Sequence, residues 1–494
     1  MKSNRFLLML FAGVATLCTP VVMIACGSPT QSHYTTSLPV SEELSGPRGY
    51  RVARVVTHFH SPYSWDACDH NGVVNGKPNQ DCLAHLKHSL CMNHVDYLFL
   101  TDHPDNMADY EMSDLVLDTT NAEASEPTPS PSPSPSASES PTPTPTESPA
   151  TQLVHSLEPC SDGFVSRIEA GFEDKVMAMG MTKHLETDPK VRRAIYASPT
   201  PELVERLHKE SDALVFIPHT ESKSVDWIKS LKPDGIEIYN FHANVDPKIR
   251  KKNLDLPPFK PVAGLMPYLA DPYHELNADF SFLAFLEVSP VYGKMWSSLV
   301  GSGLKVAGIG GTDSHENVFA QKGSDGERLD GHRRITRMMS NHFLVKTLDP
   351  VEMKEAMRAG RGWMVFEGLG SPVGMDFYAE VNGNVTGVGD SGTLAEGEEA
   401  NIVVKLPTLH PSSPQGPKAP QIQIKLKQVL TDGTDQVVAE STDADLNFKT
   451  SKPGPYRAEL SIRPHHLEPY IKPFQKKATE DFLWIETNHL YLTR

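Results

Sequence analysis

Four apolar runs rich in β-branched residues, at 54–57, 95–100, 214–217 and 306–311, each lead into a polar cluster. The clusters are His58-Phe59-His60, Thr101-Asp102-His103, Pro218-His219 and Asp313-Ser314-His315. Short apolar runs of this kind predict buried strands. Apolar positions at helical spacing predict helices over 80–93, 200–211, 224–231 and 277–286. Asp349-Pro350 opens a further helix, with the aspartate as N-cap and the proline at the first helical position, and Gly360 lies just past its end. Alternating strands and helices from about 51 to 365 predict an α/β architecture with a parallel sheet. About eight such units point to a distorted TIM-like (β/α) barrel.

After Gly370 the pattern changes. Stretches at 376–381, 400–406, 421–430, 436–441, 456–462 and 482–492 read as strands separated by Gly, Pro, Asn and Asp. They predict a small C-terminal β-sandwich over 371–494, following a main domain over 49–370. Within the main domain, residues 126–149 alternate proline with serine or threonine. That composition favours extended, solvated chain over a packed core. The surrounding segment, about 122–151, is expected to be a surface-loop insertion.

The first 25 residues carry a targeting pattern: Lys2 and Arg5, an apolar stretch over 6–24, then Met23-Ile24-Ala25-Cys26, which resembles a bacterial lipobox. On this reading residues 1–25 are a signal peptide, Cys26 is lipidated, and 26–48 form a flexible tether. An uncleaved anchor is the alternative; Pro20 and the small residues Ala25-Cys26-Gly27-Ser28 favour cleavage. The expected location is the periplasmic or extracellular face of a bacterial envelope, with the membrane as partner through the lipid. Cys68, Cys82, Cys91 and Cys160 remain, an even number suited to two disulfides in an oxidising compartment. Three connectivities are possible, of which Cys68–Cys82 with Cys91–Cys160 is preferred. Zinc thiolates are the rival, but no CxxC pair is present.

Charge narrows the partners. With 46 basic and 62 acidic residues the net charge is −16, and no basic stretch offsets it, which argues against nucleic acid. Imidazoles and carboxylates at the ends of successive strands are what a barrel enzyme needs to gather a polynuclear metal centre. Mixed donors of this kind suit Zn²⁺, Mn²⁺ or Fe²⁺, two or three per chain. Ions a few ångströms apart can activate a water and polarise a phosphoryl or acyl oxygen. Asp102 is a candidate for orienting a ligand imidazole. Asn240 and His242, after the strand-like 235–238, are candidates for the barrel mouth, and Arg333 and Arg334, with Lys322 and Arg337, for an anion clamp. No P-loop, GxSxG elbow or dinucleotide fingerprint occurs.

The order His58-Phe59-His60-Ser61-Pro62, Thr101-Asp102-His103, Pro218-His219 and Gly311-Thr312-Asp313-Ser314-His315 resembles the motif order of the PHP (polymerase and histidinol phosphatase) superfamily over about residues 51–345. The segment 482–491 is similar to the tail of its secreted CehA/McbA-like branch. The resemblance implies a distorted barrel of the PHP type and a ligand set. His58, His60 and Asp313 would hold a first metal, His184 and His219 a second, and Asp66, His103 and His315 a third. Glu173 would bridge, in preference to the adjacent Asp174. Asp102, Glu173 and His219 are the expected catalytic residues. The expected activity is metal-dependent hydrolysis of a small-molecule phosphate ester by activated water. Carboxyl or carbamate ester hydrolysis is one alternative, and a catalytically inactive metal-binding surface lipoprotein is another.

Overall fold

The computed structural model describes residues 34–117, 155–271, 276–472 and 474–494. The expected signal peptide, Cys26 and the Pro/Ser/Thr tract lie outside them. Residues 34–48, expected as part of a tether, pack on the body instead. Leu38 and Leu44 are buried, and the Leu38 amide donates to the Met92 carbonyl at 3.0 Å. Two apolar side chains with somewhere to go outweigh the polar composition around them.

In chain order the first strands are β1 (Arg51–Phe59), β2 (Val73–Val74), β3 (Lys77–Pro78), β4 (Tyr97–Leu100), β5 (His155–Pro159), β6 (Val165–Glu169), β7 (Gly171–Glu173) and β8 (Met177–Met179). They continue with β9 (Leu214–Ile217), β10 (Gly235–Asn240), β11 (Ala307–Gly311), β12 (Ser340–Val345) and β13 (Gly362–Val365). The four expected strands are thus present. Helices Gln80–Met92, Pro201–Ser211, Val225–Leu231 and Pro350–Ala359 also form where expected. Thr200, Ser224 and Asp349 cap the last three by accepting from backbone amides, and Gly360 ends the fourth at φ 71°. The expected helix at 277–286 is replaced by two 3₁₀ turns, Ala278–Phe280 and Leu283–Phe285. Phe280, Phe282 and Phe285 are all buried there, so no polar helical face remains to meet solvent.

The architecture is mixed α/β with several sheets. An eight-fold parallel barrel is not what the pairings make. β1–β4 and β9–β10–β11 are parallel, but β7–β8 and β8–β9 are antiparallel. The β7–β8 link is a tight turn, closed by the Asp174 amide donating to Val176 at 3.1 Å, with no room for a crossover helix. Two isolated bridges, Asp102 to Phe172 and Phe59 to Ser314, join the two groups of strands. Strands β1, β4, β7, β8, β9, β10 and β11 therefore follow one another around a distorted ring. Alternate residues of its strands, including Val55, Phe99, Met177, Phe216 and Ile309, share a core cluster with Met353 and Met357 of the helix at 350–359.

The C-terminal strands, expected as a β-sandwich, divide. Asp376–Val381 and Ala400–Lys405 lie in a four-stranded antiparallel sheet with Asn384–Gly387 and Leu446–Thr450. Gln421–Val429, Gly454–Arg463 and Phe482–Thr487 instead extend the sheet of β1, because Phe482–Thr487 pairs antiparallel with β13. The expected strand at 482–492 breaks at Asn488 and His489. The Asn488 carboxamide accepts from the Gly308 amide at 2.6 Å and donates to the Gly308 carbonyl at 3.0 Å, bracing β11.

Candidate metal centre

The strand ends converge. The Asp313 amide donates to the His58 carbonyl at 2.5 Å, His60 to Ser314 at 3.1 Å, Thr101 to Phe59 at 2.9 Å, and Glu173 to Asp102 at 3.3 Å. These bonds gather His58, His60, His103, Glu173, Asp313 and His315 at one end of the ring. His58, His219 and Asp313 all sit in the left-handed region, at φ 52°, 51° and 50°. Such backbone is unfavourable for residues with a Cβ and collects where side-chain aim matters more than local stability.

Five imidazoles turn Nε2 toward two carboxylates. From Asp313, Nε2 of His58 and of His60 lie at 3.3 Å and that of His219 at 3.5 Å; from Asp66, Nε2 of His315 lies at 3.3 Å and that of His103 at 3.5 Å. These separations are long for charge-assisted hydrogen bonds. They match the spacing of about 3.4 Å between donors that share a tetrahedral ion at about 2.1 Å. Nε2 of His58, His60 and His315 is buried and has no hydrogen-bond partner among the described residues. Buried polar atoms are rarely left so.

The opposite ring nitrogens are engaged. Nδ1 of His58 meets Glu237 at 2.5 Å, that of His60 meets the Ser64 hydroxyl at 3.0 Å, that of His219 meets Glu221 at 3.3 Å, and that of His315 meets the Asp313 carbonyl at 2.9 Å. His103 turns Nδ1 to Glu173. Partners at Nδ1 fix ring orientation and leave Nε2 free to ligate. Four overlapping donor groups result: His60, Asp66, His103 and His315; His58, His219 and Asp313; His58, His60 and Glu173; and His242, Asp313 and His315. The donors thus fit divalent metal.

Without metal, the charges are strongly coupled. Burial opposes charge on His58, but the Asp313 and Glu237 carboxylates prevail and raise it to about 9. Burial likewise opposes charge on His219, yet Glu221 and Asp313 raise it to about 10; Asp66 and Glu173 raise His103 to about 11 against the same cost. His60 goes the other way, held well below the usual imidazole range by burial and by the neighbouring His315. Glu173, despite burial, is lowered by the His103 hydrogen bond and the charges on His58 and His219.

The other expected residues fall into place separately. Glu173 is buried within the cluster, whereas Asp174 is half-buried, with its carboxyl raised by desolvation and by Glu173. His184 is not brought in: its Nδ1 faces the Tyr196 hydroxyl at 3.1 Å and its Nε2 the Tyr110 carbonyl at 3.0 Å. Asp102 accepts from the Ser61 amide at 2.6 Å and the Ser61 hydroxyl at 2.7 Å, pinning the turn after His60 rather than touching an imidazole. Asn240 is buried and donates to Glu237 and Asp313, each at 3.2 Å. His242 lines an open cavity of about 320 Å³ together with Asp313, His315, Phe241, Phe282 and Phe319.

Arg333 and Arg334 do not form an anion clamp. Both are buried in ion pairs with Asp279, Asp325 and Glu327, and Arg337 joins Asp279, while Lys322 is exposed. Sequence reasoning missed Glu237, Glu221 and Ser64. The available signal was a lone glutamate inside the apolar strand Gly235–Asn240. Both preferred disulfides, Cys68–Cys82 and Cys91–Cys160, are formed.

No protein-family model matches this chain, and no curated protein matches it. Among solved structures it is similar to a two-domain protein containing a predicted PHP-like metal-dependent phosphoesterase from Bacteroides vulgatus ATCC 8482. The likeness has 12% identity and a TM-score of 0.29, and covers 92% of this chain and 99% of that one.

Proposed function

We propose that this chain is a divalent-metal-dependent hydrolase of the PHP type, acting on a small-molecule phosphate ester. The observation that carries the proposal is the convergence of five imidazole Nε2 atoms on Asp66 and Asp313, each ring already engaged at Nδ1. His58, His60, Asp66, His103, Glu173, His219, Asp313 and His315 would hold the ions, with Glu173 as the bridging carboxylate. When bound, divalent ions supply an activated water near neutral pH and offset charge on a phosphoryl oxygen.

The chain's own residues supply the order. Glu237, Ser64, Glu221 and the Asp313 carbonyl orient the rings of His58, His60, His219 and His315 through Nδ1, and Glu173 orients that of His103. Ser61 and Asp102 fix the turn that carries His60. The side chains of His103 and His219 are each 25% exposed, which leaves an approach from solvent.

We further propose that the protein works at the cell envelope, anchored through Cys26. Two disulfides fit an oxidising compartment. No helix among the described residues is long and apolar enough to cross a membrane.

Elemental analysis of the purified chain, with p-nitrophenyl phosphate turnover in the unaltered protein and in His60→Ala, tests the function. Stoichiometric transition metal and loss of turnover in the variant are expected. Absence of bound metal, or turnover unchanged in His60→Ala, would overturn the proposal. Aryl carboxyl and carbamate esters assayed in parallel distinguish phosphorus from carbon as the centre attacked.

A further inference from the structure

Asp66 reaches the cluster from an irregular segment. After β1 the chain turns through Ser61–Asp66 and then takes three consecutive residues, Cys68, Asp69 and His70, through the left-handed region at φ 55°, 56° and 63°. None is glycine, and each is disfavoured there by its Cβ. Local preference therefore does not hold this path, and tertiary contacts must.

The Asp66 carboxylate accepts from the nearby Ser64 hydroxyl at 3.1 Å, and the backbone around it is held by specific contacts to other elements. The Cys68 and Asp69 amides donate to the His315 and Glu316 carbonyls at 2.8 and 3.0 Å, and the Asn317 carboxamide donates to the Asp66 carbonyl at 3.0 Å. Asp69 pairs with Arg328 at the surface. Apolar support is small: Ala67 and Cys68 form a cluster of their own with Cys82, apart from the main core. The Cys68–Cys82 disulfide is the covalent link from this segment to helix Gln80–Met92. That helix is capped by Asn79, buries Leu83, Leu86 and Leu90 in the main core, and carries His85, which meets Glu316 at 2.9 Å.

We infer that the Cys68–Cys82 disulfide is the positioning element for Asp66, so that ion capture by His60, Asp66, His103 and His315 depends on it. Capture by His58, His219 and Asp313 does not. The inference rests on the metal-binding reading above. Its physical basis is that a ligand two residues from a cross-link inherits the rigidity of the helix at the other end. With the link removed, the disfavoured backbone relaxes and Asp66 leaves His103 and His315.

Zinc binding alone, counted by native mass spectrometry and followed by calorimetry, tests this without any turnover assay. The full chain is compared with Cys68→Ser/Cys82→Ser, with Cys91→Ser/Cys160→Ser as a control, and with Asp66→Asn. The first variant should bind one zinc fewer than the unaltered chain, or bind it at least 10-fold more weakly, matching Asp66→Asn. The control should keep the full count. An unchanged count and affinity in Cys68→Ser/Cys82→Ser overturns the inference while leaving the metal reading intact. No zinc on the unaltered chain overturns the metal reading itself.

Should the double variant misfold, the unaltered chain can be partly reduced with a phosphine and alkylated with iodoacetamide. Molecules alkylated at Cys68 and Cys82 should then carry fewer zinc ions than those alkylated only at Cys91 and Cys160. Equal counts in the two populations overturn the inference.

Discussion

His60 and His315 lie face to face, with ring centroids 3.7 Å apart and planes 17° from parallel, and neither Nε2 has a hydrogen-bond partner among the described residues. Two stacked, buried imidazoles cannot both carry a proton cheaply, because each charge would face the other where water cannot screen it. His60 is accordingly held well below the usual imidazole range by burial and by His315, so it is neutral and able to ligate. His58, His103 and His219 pair with carboxylates and are raised to about 9, 11 and 10.

Metal binding should therefore release protons. The metal-free site keeps His58, His103 and His219 protonated at pH 7, and a ligating imidazole must be neutral. Zinc affinity should rise with pH between 6 and 9, on the order of tenfold per unit for each proton displaced. Calorimetry in buffers of different ionisation enthalpy checks this, and a buffer-independent heat would contradict it. The metal-free fold should respond in the opposite sense. These folded-state values lie above the ordinary 6.5. The stabilisation from the pairs is thus complete below pH 6.5 and is lost as pH rises through about 9 to 11.

Glu237→Gln should weaken metal binding by roughly 10–100-fold, the usual cost of losing a partner behind a ligand histidine. Glu237 meets His58 Nδ1 at 2.5 Å and also accepts from the His219 amide at 2.7 Å, so one substitution loosens two ligands. Competition against a zinc chelator measures the change. An affinity within twofold of the unaltered chain would show that the His58 ring is held by other means.

Arg334→Ala should act on stability and not on substrate. The Arg334 side chain is fully buried and paired with Asp279 at 2.6 Å and Asp325 at 2.9 Å. Removing it takes one of three guanidinium partners from Asp279, which keeps Arg333 and Arg337, and empties a buried site, at a cost of about 1–3 kcal/mol. Denaturant unfolding should register that loss, with KM for p-nitrophenyl phosphate unchanged. A rise in KM without a loss of stability would restore the anion-clamp role.

Trp65→Ala should do the reverse. Trp65 is 53% exposed and stands beside the centre, with its ring 6.0 Å from that of His103. Its removal should change stability by no more than about 0.5 kcal/mol. KM for an aryl phosphate should rise several-fold with kcat little altered, the pattern of lost uniform binding. Steady-state kinetics separates the two constants, and an unchanged KM would remove Trp65 from the substrate path.

Much of the centre was legible because imidazole and carboxylate clusters followed recognisable strands. His58, His60, His103, His219, Asp313 and His315 could be read by that route. The groups that aim them could not. Glu237 sits within β10, where burial rather than spacing decides whether a carboxylate faces inward. His184 had suitable spacing, but Tyr110 and Tyr196, brought to it by tertiary packing, engage both its nitrogens. The β7–β8 turn escaped notice because three-residue strands carry too little periodicity to separate a hairpin from a crossover. The arginines at 333 and 334 looked free because Asp279 lies in a stretch that reads as helix and folds as two turns.

The brace between Asn488 and Gly308 also sets a timetable. Strand β11 leads directly to Asp313 and His315, yet the carboxamide that satisfies its backbone at Gly308 is synthesised 180 residues later. Contacts of such long range form late, after local helices and neighbouring strands have settled. The brace thus makes the strand that carries Asp313 and His315 lean on a residue of the C-terminal strands, so the geometry of the centre is tied to both ends of the described chain.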